Sequence, residues 1–137
     1  MNSAAATFWV QGNSYAVSSL TQHMHQPTAE NGTVTAHPTS GELHLVLDVL
    51  PRNATLPAWA YAPHLALPAR VVFDALDGLS PALTLRLDEA YCVGYAEHFE
   101  HHPAPGQSAF YCVVTLVARR IEKQGVAYVN RWPEAGH

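Results

Sequence analysis

The stretch LTLRLDEAYCVGYAEHF, Leu83 to Phe99, limits what this chain can fold into more than any other. Leu83, Leu85, Leu87, Tyr91, Val93, Tyr95 and Phe99 fall on odd positions. Thr84, Arg86, Asp88, Cys92, Gly94, Ala96 and His98 fall on even ones. Strands point successive side chains to opposite faces, so a period of two marks strands and not a helix. The phase carries on across Asp88-Glu89-Ala90, which predicts a bend or bulge between two consecutive strands. One face is large and apolar, the other small or polar. Such a chain packs a core on one side and meets solvent or another subunit on the other, which makes Tyr91, Val93, Tyr95 and Phe99 candidate core residues.

The rest of the chain repeats this grammar. Residues 1–6 are expected to be disordered. Thr7 to Val10 and Ser14 to about Leu20 flank the short turn Gln11-Gly12-Asn13, a hairpin signal. From Gln26 to Gly41 strong apolar periodicity stops, and Pro27, Asn31, Gly32, Pro38 and Gly41 predict a long exposed loop. One weak strand at Thr33 to Ala36 could interrupt it. Glu42 to Leu50 is a strand with Leu43, Leu45, Leu47 and Val49 on one side and His44, Val46 and Asp48 on the other. Asn53 to Ala62 reads as a helix capped by Asn53 or Thr55, with Pro57 tolerated in its first turn and Pro63 stopping it. Leu56, Trp59 and Ala60 give it one apolar face, with Trp59 as a core plug.

Arg70 to Leu76 is a further strand, turned by Asp77-Gly78. A loop at His101 to Ser108 leads to Ala109–Ile121, apolar on both faces, with Leu116 in the core. A strand covered on both sides belongs inside a layered structure or a barrel wall. Gly125 turns the chain into Val126 to Trp132. The fold class is all-β: one domain over residues 1–137, a small antiparallel β-barrel or sandwich with one short lateral helix.

Charge excludes some partners. Charged residues make up 13% of the chain, about half of the usual quarter, while 48% is hydrophobic. Either neighbouring subunits cover part of the surface, or the chain is a monomer rich in Ala and Pro. The net charge of −4 argues against nucleic acid, which needs a basic footprint. Arg119, Arg120 and Lys123 form the only basic cluster and read as a solvated strand end. No run is long and apolar enough for membrane insertion, and no signal peptide is expected at the start. The expected site of synthesis and folding is the cytoplasm. There Cys92 and Cys112 read as buried free thiols, although a bridge would be possible if their strands paired in register.

The search for chemistry finds no active site. His98, His101 and His102 cluster, and His23 and His25 form an H-x-H pair that would put two rings on one face of a strand. No third ligand completes a known metal signature. No nucleophile elbow or phosphate-cradling glycine loop is present. Asp88 with Glu89, and Glu97 with Glu100, are pairs that any strand end can carry. No catalytic residue, metal or cofactor is expected.

The segment Asp88-Glu89-Ala90-Tyr91-Cys92-Val93-Gly94-Tyr95-Ala96-Glu97-His98-Phe99 resembles the "daYCVeYeesF" signature of the Bacteroidetes branch of the hemolysin-coregulated protein (Hcp, TssD) family, the tube proteins of type VI secretion. Other matches follow in order. Gly12 to Val17 resembles "dGkeYnV", and Gln26 through Gly41-Glu42-Leu43 resembles "Q…G…gGxi". Leu56-Pro57-Ala58-Trp59 is similar to the "lfeWm" helix and Val72-Phe73 to "itF". Thr115 to Arg119 resembles "ltlsAre", and Asn130 to Pro133 "nnWp". The resemblance covers about residues 8 to 133. It implies a tail-tube-like barrel closed into a hexameric ring, with rings stacked inside a contractile sheath and tipped by a spike protein. Effector proteins would ride in the lumen, and the machine itself would export the tube. Extending the resemblance, Gln26, Asn31, Gly32 and Gly41 mark a loop that would touch the next ring. Two other readings compete: a monomeric β-sandwich binding sugar through Trp9, Trp59 or Trp132, and a metal-dependent barrel enzyme using His98 and His102.

Overall fold

Two consecutive left-handed residues, Gln11 (φ 53°) and Gly12 (φ 75°), reverse the chain between β1 (Ala6–Val10) and β2 (Asn13–His25). Positive φ at both turn positions matches the twist of a hairpin, and glycine adopts it without steric cost. The same device, Gln124 (φ 53°) and Gly125 (φ 78°), turns β6 (Phe110–Lys123) into β7 (Val126–Val129). Between them lie β3 (Thr39–Asp48), α1 (Thr55–Ala60), β4 (Leu67–Phe73) and β5 (Leu83–Phe99). This computed structural model describes residues 5–25, 39–74 and 83–130. The weak strand expected at Thr33–Ala36, the turn at Asp77-Gly78 and Trp132 lie outside them. The Ala5 carbonyl accepts from the Asp74 N–H at 2.9 Å, and β1 starts at Ala6, within the stretch expected to be disordered.

The strands close a six-strand antiparallel barrel. Around the wall the order is β1-β2-β3-β6-β5-β4 and back to β1, with β7 added outside on β6. Phe8, Leu43, Leu45, Leu47, Val71, Leu87, Cys112, Val114 and Leu116 fill the interior with almost no exposure. Each comes from the inward parity of its strand, as a period of two requires. α1 packs against β5. It buries Leu56 and Trp59, whose indole N–H donates to the Leu65 carbonyl at 3.0 Å.

The helix is shorter than predicted and neither proposed cap acts. Ala54 is the N-cap and makes no side-chain cap bond. Asn53 accepts from the Tyr15 hydroxyl at 2.8 Å and Thr55 from the Asn13 amide at 3.0 Å, so both side chains tie the helix start to β2.

The phase of β5 also departs from expectation. Leu85 and Leu87 point inward on odd positions, but the next inward residues are Ala90 and Cys92. The parity flips at Glu89, which is left-handed (φ 50°). A bulge between Cys92 and Gly94 partly restores it, so Tyr95 packs against the core. Tyr91 is therefore only half-buried, and Val93 (56% exposed) and Phe99 (66%) lie on the surface, not in the core. β6 flips at the same rungs: Leu87 faces Ile121 and Ala90 faces Ala118, all four buried.

Two adjacent residues on each strand are thereby turned away from the interior. They are charged and matched, with Arg120 Nη1 3.2 Å from Asp88 Oδ2 and Arg119 Nε 3.5 Å from Glu89 Oε2. Arg119 and Arg120 thus sit at a mid-strand corner of the wall, not at a solvated strand end. Exposed pairs of this kind add little stability. Their effect is on register, since a two-residue slip would set Asp88 opposite Glu122 or Arg86 opposite Arg120. At the end of β7, buried Asn130 donates its side-chain amide to the Ala118 carbonyl and its backbone N–H to that of Arg119, both at 2.7 Å.

Candidate functional site

The corner divides the wall into two sheets. One consists of β2 from Val17 on, β3, the first half of β6 and the second half of β5. Among the described residues this four-stranded sheet is unpaired along both outer edges. β1 pairs only with Asn13–Ala16 of β2, and β4 pairs with β5 only up to Ala90. Unpaired edges present rows of free N–H and C=O groups, a template for another strand. Both edges also carry apolar side chains: Met24 (50% exposed) on β2, Val93 and Phe99 on β5. Next to Val93, Tyr61 and Pro63 line a shallow groove between α1 and the β5 edge.

The outward face of this sheet is laced together. Thr115 on β6 lies 3.2 Å from His44 Nδ1 on β3, and His44 Nε2 lies 3.1 Å from Glu42. The His23 ring meets His44 edge-on at 5.5 Å, and His98 stacks on Tyr111 at 4.9 Å. Val46, Val113 and Val117 on the same face are half-buried.

Of the loop residues expected to contact a neighbouring ring, Gln26, Asn31 and Gly32 lie outside the described residues. Gly41 belongs to β3, where a Cβ would collide with the backbone carbonyl of His23 and approach His23 Cβ to 2.9 Å. Trp59 and Leu116 are fully buried. Trp59 is thus closed to a sugar ring, and Trp9 lies under the Arg70 guanidinium at 5.0 Å. His98 is engaged by Tyr111, while His101 and His102 face each other with ring centroids 4.3 Å apart. Among the described residues no three His, Cys, Asp or Glu side chains gather in a metal-binding arrangement. Sequence reasoning missed the two open edges, because edges depend on which distant strands pair. No local pattern marked them, and Val93 and Phe99 read as core.

Cys92 and Cys112 are both buried and unbridged. Cys92 pairs across the ladder with Leu116 and Cys112 with Glu97, so they are not opposite each other. Burial, reinforced by the nearby Glu97 carboxylate, pushes the Cys112 thiol up to about 12. Burial raises Cys92 as well, against the 3.4 Å bond its thiol makes to the Gly94 carbonyl. Thiols held neutral are poor nucleophiles. The raised value also sets a pH dependence. Between the ordinary thiol value of 9.0 and about 12 the unfolded chain has lost the Cys112 proton and the folded chain has kept it. The unfolded state then binds fewer protons, so stability falls as pH rises. Urea midpoints are expected to drop steadily above about pH 9, and Cys112→Ala should flatten that slope. Equal slopes in the two proteins would rule Cys112 out.

The family model "Hemolysin coregulated protein Hcp (TssD)" matches residues 2–133. Among solved structures, Hcp1 from Flavobacterium johnsoniae superposes with a TM-score of 0.79 at 21% identity, covering 92% of this chain and 99% of that one. Hcp1 from Salmonella typhimurium gives 0.69 at 15% identity, covering 93% and 92%. A six-fold symmetrised baseplate structure of the anti-feeding prophage gives 0.50 at 17% identity, covering 91% and 94%. No curated protein sequence matches. These likenesses show the fold, and the family match spans nearly the whole chain. The chain belongs to the hemolysin-coregulated protein (Hcp, TssD) family, the tube proteins of type VI secretion.

Proposed function

We propose that this chain is the structural subunit of a type VI secretion inner tube, with assembly as its activity. The four-stranded sheet with two open edges carries this reading. Its β5 edge on one copy can receive the β2 edge of the next, and such a head-to-tail contact closes into a ring when its rotation divides the circle. Closure pairs both open edges of this sheet and turns the laced outward faces into one continuous wall. Six copies per ring is the number we favour, consistent with the symmetry of the baseplate relative. The stacked rings would run inside a contractile sheath, carry a spike at the tip and hold effector proteins in the lumen. Gln26, Asn31, Gly32 and Gly41 would sit at the ring-to-ring contact. The chain would be made in the cytoplasm and leave through the machine itself. It needs no cofactor, catalyses nothing and binds neither nucleic acid nor membrane.

Light scattering on the purified chain, with electron microscopy of the same sample, tests this. The expected particle is an annulus of six subunits of 14.9 kDa each. A chain that stays monomeric at high concentration would overturn the proposal.

A further inference from the structure

The second sheet carries an unbalanced charge row on its outer face. Trp9, Arg70, Arg86 and Glu122 are successive direct partners across β1, β4, β5 and β6. Direct partners share a face, so two arginines stand opposite each other in one ladder, an unfavourable arrangement for like charges. Arg70 lies over the Trp9 ring, and among the described residues neither arginine has an ion pair. The nearby acids are already engaged: Asp88 lies 3.2 Å and Glu122 3.0 Å from Arg120. Three cations against two anions leave this patch positive on a chain whose net charge is −4. A cleft of about 510 Å³ opens there, lined by Trp9, Gln11, Pro68, Arg70, Arg86 and Asp88.

The other end of β5 has the opposite sign. Glu97 and Glu100 are exposed there, and neither has a cationic partner among the described residues. Among the described residues Glu97 accepts the Tyr95 hydroxyl, at 2.5 Å. Among the described residues β5 therefore has an arginine without an ion pair near its start, and Glu97 and Glu100 without cationic partners at and just past its finish. Identical chains meeting head to tail bring such ends together.

We infer that the Trp9–Arg70–Arg86 cleft is a carboxylate-docking site that receives Glu97 and Glu100 from a second copy of this chain. The guanidinium fork binds a carboxylate through two parallel N–H bonds, and stacking on an aromatic face orients it. An arriving carboxylate also relieves the repulsion between Arg70 and Arg86. The inference rests on the reading that the chain assembles head to tail.

Charge reversal tests it on the full chain, with assembly followed by sedimentation over a dilution series and folding checked by circular dichroism. Arg70→Glu/Arg86→Glu sets like charges across the contact, which costs several kcal/mol, and each ~1.4 kcal/mol is tenfold in affinity. The concentration for half-assembly is therefore expected to rise roughly 100-fold. Glu97→Arg/Glu100→Arg should do the same, and the chain carrying all four changes should recover assembly. Should the reversed arginine variant prove unfolded, Arg70→Gln/Arg86→Gln carries the test through a smaller shift. Normal assembly of either reversed variant, or no recovery in the fourfold one, overturns the inference and leaves the tube reading intact. A wild-type chain that never assembles overturns both.

Discussion

Trp59→Ala is expected to destabilise the subunit by about 3–5 kcal/mol, the usual range for deleting a fully buried tryptophan. Trp59 has no exposed surface, and with Leu56 it holds α1 on the barrel. Six residues are too few for a helix to persist alone, so α1 depends on this packing. The substitution also leaves the Leu65 carbonyl without its donor. At about 3–6 °C per kcal/mol for a chain of this size, melting should fall by roughly 10–25 °C. Trp59→Phe keeps most of the ring volume and should cost only about 1–3 kcal/mol, chiefly the unmet carbonyl. Denaturant unfolding of both variants checks this, and an unchanged midpoint for Trp59→Ala would reject the plug role.

Gly41→Ala is the second large effect. The added methyl meets backbone, the His23 carbonyl, at the register shift between Gln22 and Met24. A side chain could rotate away, but a carbonyl within a ladder cannot. Overpacking of this kind costs about 1–3 kcal/mol, more than the ~0.4–1 kcal/mol that alanine gains by stiffening the unfolded chain. Gly41→Val should be worse. If Gly41 acted only at a ring contact, either variant would weaken assembly and leave the unfolding midpoint in place, so measuring both separates the two roles.

How much of this was legible in the sequence depended on whether the deciding interaction was local. Leu43, Leu45 and Leu47 alternate cleanly, and they do line the barrel. Gln11-Gly12 and Gly125 announced their turns through backbone preference alone. The β5 core was misread because the inward residues past the corner are small. Ala90 faces Ala118 across the ladder, and the bulky Tyr91 and Val93 point elsewhere. Hydrophobicity favoured the larger residues, and only the pairing with β6 corrects that. Arg119 and Arg120 looked like a strand end for the same reason: their partners, Asp88 and Glu89, lie some thirty positions earlier in the chain. The open edges were invisible to any local pattern, since an edge is defined by the strand that does not arrive.

The shared corner also constrains how the length of this protein can vary. β5 and β6 reverse their inward parity on the same rungs, between Leu87 and Ala90 and between Ile121 and Ala118. Losing or gaining one residue on one strand there would turn half of that strand inside out while its partner stayed put. A viable length variant needs compensating changes on both strands at once. The connection from Glu100 to Ala109, beyond the last rung, is free of that coupling and can absorb insertions singly.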